Sequence, residues 1–224
     1  GVDLLGSDPV AFGEDLLDRL HPVHPILDQF DARLEHAGRE LGQPVQQQVT
    51  LVELDPHMTE LFSTAPMLRA LNGDALRSPK LRIVNADAFA WLEANPGHFD
   101  VIVVDFPDPT NFSIGKLYTT TFYQRLDEHL AAGGYAVVQT TSPLIARRSF
   151  WTVAATLEAV GLTTMPYHAH VPSFGEWGFV IASRRPWRLP AALPEGLRFL
   201  TVAGLPALMQ FPPDMARVPA DPNR

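Results

Sequence analysis

VIVVDFPDPT, Val101 to Thr110, is the stretch on which the reading of this chain turns. With Phe99 and Asp100 before it, it opens as a continuous apolar run, the pattern of a strand in a sheet buried on both faces. It closes on two acids, Asp105 and Asp108, three residues apart and interleaved with Pro107 and Pro109. Proline fixes φ, so the two prolines stiffen the turn and fix where the carboxylates point. Two uses fit such a turn. Asp-Pro dipeptides build Asx turns, a purely structural role. Alternatively, two nearby carboxylates suit a diamine: one anchors a distant ammonium while the other takes a proton from the attacking amine. An alkyl amine has a pKa near ~10.4, like lysine, and must lose a proton before it can attack.

On both sides of this stretch, apolar strands alternate with helical patterns. Upstream, VTLVEL (49–54) predicts a strand, and Asp55-Pro56 opens a helix carrying Met58, Leu61 and Phe62. LRIVN (81–85) predicts a second strand, followed by a helix from Asp87 through Trp91 and Leu92. Downstream, a long loop leads to a helix with Phe122, Leu126 and Leu130 on one face, ending at Gly133-Gly134. YAVVQTT (135–141) predicts a strand. Phe150, Val153, Leu157 and Val160 mark a helix that ends at Gly161. Residues 162–171 and 177–183 predict a closing pair of strands. This alternation predicts an α/β fold, a Rossmann-like doubly wound, mostly parallel sheet of the class I methyltransferase kind. Ligands of such sheets bind beyond the C-terminal ends of the strands, so the informative residues are those just after each strand.

The ends of the chain read differently. Residues 1–48 predict a helical or irregular N-terminal segment, with Ile26, Phe30, Leu34, Ala37 and Leu41 at helical spacing. Residues 49–185 predict the Rossmann-like catalytic domain, and residues 186–224 a proline-rich extension. The chain has 224 residues and 21 prolines, well above the usual share of ~5%. Its formal net charge of -8 argues against non-specific nucleic-acid binding and suits a small cationic ligand. There is no cysteine, which excludes disulfides, zinc–thiolate sites and cysteine nucleophiles. No apolar run approaches the ~18 residues of a membrane-spanning helix, and no signal peptide opens the chain, so the expectation is a soluble, cytoplasmic protein with no membrane part in this chain.

Three predicted strands end in acids. Asp55 and Asp87 each fit a helix cap as well as a ligand contact. Glu53 closes an apolar strand, where a lone charge is costly unless paired. An acid there commonly accepts hydrogen bonds from ribose hydroxyls. Gln139 ends a strand on the same rim and fits either a substrate or a backbone partner. His168 and His170 alternate on a strand and so face one side, a spacing open to a metal, but no third ligand stands out.

VTLVELDP, NADAF, FDVIVVDFPDPTNFSIGKLYTTTFY, VVQTTSP and VPSFGEWGF follow one another in this order. Together they resemble the spermidine synthase (polyamine aminopropyltransferase) family over about residues 45–220. The likeness is strongest to the bacterial branch whose catalytic domain follows an N-terminal membrane region. Segment 99–123 is specific to the family, whereas the strand–acid pattern alone fits any Rossmann-like methyltransferase. The resemblance implies transfer of an aminopropyl group from decarboxylated S-adenosylmethionine, a co-substrate and not a permanently bound cofactor, to putrescine or a related amine. It implies Asp105 as general base, Glu53 on the ribose, and Asp87 with Ala88 on the adenine. It implies Asp108, Gln139 and Tyr123 on the amine, a gate carried by residues 106–118, a homodimer, and no metal. Tyr118 and Tyr123 stand where the family has its leucine–tyrosine and phenylalanine–tyrosine pairs. The family's glycine-rich loop has no counterpart, and residues 28–48 read as helix in its place. Two alternatives stay open: an S-adenosylmethionine-dependent methyltransferase-like enzyme, and a non-catalytic polyamine-binding homologue without that loop.

Overall fold

The computed structural model describes residues 48–108, 112–172, 174–193, 196–197 and 199–224. The helix expected within residues 1–47, including the place of the glycine-rich loop, lies outside them. The chain divides into two compact units at Ala88 and Phe89.

In the first unit, β1 (Val49–Glu53) pairs in parallel with β2 (Leu81–Asn85), Glu53 opposite Asn85. Between them run α1 (Pro56–Thr64), α2 (Pro66–Leu71) and a 3-10 turn at Ala75–Arg77. α1 starts where it does because Asp55 caps it: the Asp55 carboxylate accepts from the His57 amide at 2.9 Å, and Pro56 occupies the first turn. The C-terminal ends of the two strands are locked together. Asn85 Nδ2 donates to the Glu53 carbonyl at 3.2 Å, and the Ala86 amide donates to the same carbonyl at 3.0 Å. α3 (Ala88–Ala94) begins at the boundary of the units.

In the second unit a four-stranded sheet has the order β3-β4-β6-β5, with β3 at Phe99–Val104, β4 at Leu130–Gln139, β5 at Thr163–Val171 and β6 at Gly175–Ser183. β3 and β4 are parallel, and β6 runs antiparallel to both β4 and β5. α4 (Phe112–Gly115), a 3-10 turn at Lys116–Tyr118 and α5 (Thr120–Glu128) connect β3 to β4, and α6 (Arg147–Ala159) connects β4 to β5. Phe122, Tyr123 and Leu126 of α5, Phe150 and Leu157 of α6, and Val138 and Val180 of the sheet are almost wholly buried and form the core.

The expected α/β alternation is present, with three local departures. Leu130 does not continue the helix of Phe122 and Leu126; it starts β4. Its i+8 spacing mimics a helix period, but the chain has already turned at His129, whose ring is held by the Arg125 and Asn95 carbonyls at 2.7 and 2.9 Å. Gly133-Gly134 is therefore not a helix stop but part of a strand whose register against β3 shifts between Phe99 and Val101. A Cβ on Gly134 would lie 2.8 Å from the Phe99 carbonyl oxygen, so close backbone approach requires glycine there. The second departure concerns β3: only Ile102 and Val104 face the core, and Val103 is 47% exposed. Third, the expected long loop before Tyr118 contains two short helical turns.

The proline-rich tail is part of the second unit's packing. After α7 (Leu205–Leu208), Phe211 stacks against Phe150 and Trp151, and Met215 is buried. No helix among the described residues is long and apolar enough to cross a membrane.

Candidate active site

Asp105 is the first residue beyond β3, and Phe106 to Asp108 form the turn that follows. This turn is pinned from three sides. The Tyr118 hydroxyl lies 3.1 Å from both the Phe106 and Pro107 carbonyl oxygens and shares its one proton between them. Gln139, the last residue of β4, reaches the Phe106 carbonyl at 3.5 Å, a long contact. The Phe106 ring packs edge-on against Phe122 and Tyr118, with centroids at 5.6 and 6.4 Å. Pro107 restricts the turn and its neighbours hold it in place.

The two carboxylates differ. Burial pushes the Asp105 carboxyl above the ordinary aspartate range, although the residue as a whole is exposed. Asp108 accepts from the Thr141 hydroxyl at 3.1 Å through Oδ2. Its Oδ1 is buried and has no hydrogen-bond partner among the described residues. A buried carboxylate oxygen left so costs on the order of 1–3 kcal/mol or more. Asp108 lines a cavity of about 340 Å³ together with Tyr118, Thr141, Arg148, Thr152 and Asn223. Burial, and then the Asp108 and Asp105 charges, push the Tyr118 hydroxyl far up, so it stays a proton donor.

The floor beneath Thr141 is set by β6. The Gly178 carbonyl accepts from both the Thr140 amide and its hydroxyl, at 3.0 and 2.7 Å, and the Gly178 amide donates to the Thr141 carbonyl at 3.2 Å. A Cβ on Gly178 would fall 2.5 Å from the Phe150 ring and 2.8 Å from the Thr141 carbonyl oxygen, so this contact needs glycine.

In the first unit, Glu53 uses Oε1 to accept from the amide of Asp55 at 2.9 Å. Thr59, buried on α1, bonds Asn85 and the Pro56 carbonyl, which ties α1 to the end of β2. Asp87 and Ala88 follow β2 directly and are half-buried. Glu53, Asp87 and Ala88 thus sit at neighbouring strand ends within this unit.

A domain model described as spermine/spermidine synthase domain matches residues 33–188. The chain belongs to the spermine/spermidine synthase family. It is 50% identical over 186 residues to polyamine aminopropyltransferase 2 of Ralstonia nicotianae, covering 82% of this chain and 36% of that protein. It is 47% identical over 176 residues to the polyamine aminopropyltransferase of Leptospira interrogans, covering 79% of this chain and 35% of that protein. The chain therefore spans just over a third of the length of these relatives. Its fold matches a crystal structure of a spermidine synthase in complex with the transition-state analogue AdoDATO, with a TM-score of 0.64 at 22% identity, covering 74% of this chain and 59% of that one.

For a member of the spermine/spermidine synthase family, the second unit gathers Asp105, Asp108 and Gln139 around one turn. Of these only Asp108 lines the cavity. Tyr123 is 0% exposed, its buried hydroxyl has no hydrogen-bond partner among the described residues, and it does not line the cavity. His168 and His170 both face Glu176, at 2.7 and 3.6 Å, as their alternation predicts, and the second nitrogen of His168 meets the Gln210 carbonyl at 2.8 Å. Sequence reasoning missed Thr141 and Asn223. Thr141 carries no signal beyond its place two residues after Gln139, and Asn223 lies in a segment without periodicity.

Proposed function

We propose that this chain carries the catalytic domain of a polyamine aminopropyltransferase, which moves an aminopropyl group from decarboxylated S-adenosylmethionine to putrescine or a related amine. One observation supports the reading: Asp108, whose Oδ1 has no hydrogen-bond partner among the described residues, lines a cavity and belongs to the same turn that presents Asp105. An ammonium group supplies the hydrogen bond and the charge that this oxygen lacks.

The chemistry divides between the two acids. Asp108 holds the distal ammonium of the diamine. Asp105 accepts a proton from the other nitrogen, whose lone pair then attacks the methylene carbon bound to the sulfonium. The new C–N bond forms as the C–S bond breaks. Sulfur takes the electron pair and leaves as the neutral thioether methylthioadenosine. A sulfonium is already a good leaving group, so alignment and one deprotonation are the main demands. The raised pKa of Asp105 suits a base, because a more basic carboxylate holds the proton better. Gln139 and Tyr118 steady the turn, and Gln139 also lies on the rim where an amine would be held. Tyr123, which the family resemblance assigns to the amine, lies with Tyr118 in the buried core. In the first unit, Glu53, with Oε2 outside its bond to Asp55, is suited to ribose hydroxyls, and Asp87 with Ala88 to the adenine.

The experiment is direct. The chain is incubated with decarboxylated S-adenosylmethionine and 1,4-diaminobutane, and products are separated by chromatography. Equimolar methylthioadenosine and spermidine are expected. Absence of both overturns the reading.

A further inference from the structure

The end of the chain returns to the cavity. From Phe211 onward it crosses α6: Trp151 Nε1 donates to the Met215 carbonyl at 3.0 Å, Arg147 Nε donates to the Ala216 carbonyl at 2.6 Å, and Arg217 pairs with Glu158. It arrives at Asn223, which makes three bonds to three places. Its amide donates to the Thr156 hydroxyl on α6 at 3.0 Å. Its carbonyl accepts from the Thr120 amide at the start of α5 at 2.8 Å. Its side-chain Nδ2 donates to the Tyr118 carbonyl at 3.2 Å. A carbonyl oxygen can only accept, so the orientation of this amide is determined: Nδ2 faces Tyr118 and Oδ1 is the atom left over. Asn223 also lines the cavity beside Asp108 and Tyr118.

We propose that Asn223 is a positioning residue for the amine substrate. Tyr118 is held at both ends. Asn223 grips its backbone carbonyl, and its hydroxyl grips the Phe106 and Pro107 carbonyls. The strap thereby fixes, through Tyr118, the turn that presents Asp105 and Asp108. The proposal rests on the aminopropyl-transfer reading of the same cavity.

Two variants separate positioning from docking of the strap. Asn223→Ala deletes only the tether to Tyr118 and keeps both backbone bonds of residue 223. Thr156→Val deletes a backbone anchor of the strap and leaves the tether. Each is compared with the wild-type chain by calorimetric titration with 1,4-diaminobutane, by turnover, and by thermal unfolding. Losing one hydrogen bond of ordinary strength weakens the amine by roughly five- to tenfold. That weakening is expected in Asn223→Ala for both the Kd and the KM of the amine. The KM for decarboxylated S-adenosylmethionine stays within about twofold, because only the amine end is disturbed. Thr156→Val lowers the Tm and leaves the amine Kd unchanged. If the wild type turns over and Asn223→Ala binds the amine as tightly as before, the inference is wrong and the proposed function stands. If Asn223→Ala weakens amine binding in a chain that shows no turnover, Asn223 positions an amine in this cavity but the transfer reading, and with it the amine's role as substrate, is overturned. A wild type that binds no diamine overturns both.

Discussion

Asp55 and Asp108 look alike in sequence and have different fates. Each precedes a proline and each lies just beyond a parallel strand. Asp55 is spent on structure: its carboxylate caps α1, and its amide satisfies Glu53. Asp108, which lines a cavity, has one oxygen on Thr141 and the other without a partner among the described residues. An Asp-Pro pair at a strand end therefore does not identify a functional acid. What distinguishes them is whether the local backbone offers donors. α1 begins immediately after Asp55, and the His57 amide in its first turn donates to the carboxylate. After Asp105, Tyr118 and Gln139 bond to the carbonyls of the turn instead, and Asp108 Oδ1 is left without a partner among the described residues.

The contrast can be broken by removing each acid in turn. The largest effect is expected at Asp105. Asn at this position keeps the shape and removes the base, and kcat should fall on the order of a thousandfold. Stability should not fall with it. Folding raises this carboxyl's pKa, so the charged form lowers stability above the folded pKa, and that cost fades as pH drops towards the unfolded value. Asp105→Asn should then be at least as stable as wild type at neutral pH, checked by urea unfolding. The rate runs the other way with pH. The wild-type kcat/KM should drop on an acidic limb lying above the ordinary aspartate pKa, and the variant's residual rate should lack that limb.

Asp108→Asn comes next. Losing a charge-assisted bond to an ammonium should raise the KM for the amine by roughly ten- to a hundredfold. The KM for decarboxylated S-adenosylmethionine should hardly move, and steady-state kinetics with each substrate varied in turn separates the two. Asp55→Ala should do the opposite: it loses about 1 kcal/mol of stability through the missing cap and keeps the wild-type amine KM. A large change in amine KM there would erase the distinction between the two acids.

The smallest effect is expected in the strap. Arg217 holds the Glu158 carboxyl below its usual range, so the pair adds stability above the unfolded carboxylate pKa and loses it as pH falls through the lowered folded value. Both side chains are partly exposed, and Glu158→Gln should cost less than ~1 kcal/mol at neutral pH, a cost that shrinks as acid protonates the wild-type carboxyl.

Much of this layout is legible in the sequence where local pattern and tertiary structure agree. β2 is Leu81–Asn85, the run expected from its apolar residues, and α6 ends before Gly161, whose φ of 93° explains the glycine. The places of Asp105 and Asp108 after β3 and of Gln139 at the end of β4 are legible because the apolar runs before them mark those strands. The start of β4 is not, because Leu130 continues a spacing that the chain has abandoned and Gly134 answers to the backbone of β3, thirty-five positions earlier. Asn223 is not, because its partner Tyr118 is 105 residues away and proline-rich segments carry no period. The role of Tyr123 is legible only as a buried aromatic; its distance from the cavity depends on which way α5 faces.

In the proposed reaction the two carboxylates divide the work, Asp105 as base and Asp108 as anchor. The sharpest test compares 1,4-diaminobutane with 1-aminobutane, which lacks the distal ammonium, in wild type and in Asp108→Asn. The wild type should prefer the diamine by at least roughly tenfold in kcat/KM, and the variant should lose that preference. A preference that survives unchanged in Asp108→Asn would contradict that division.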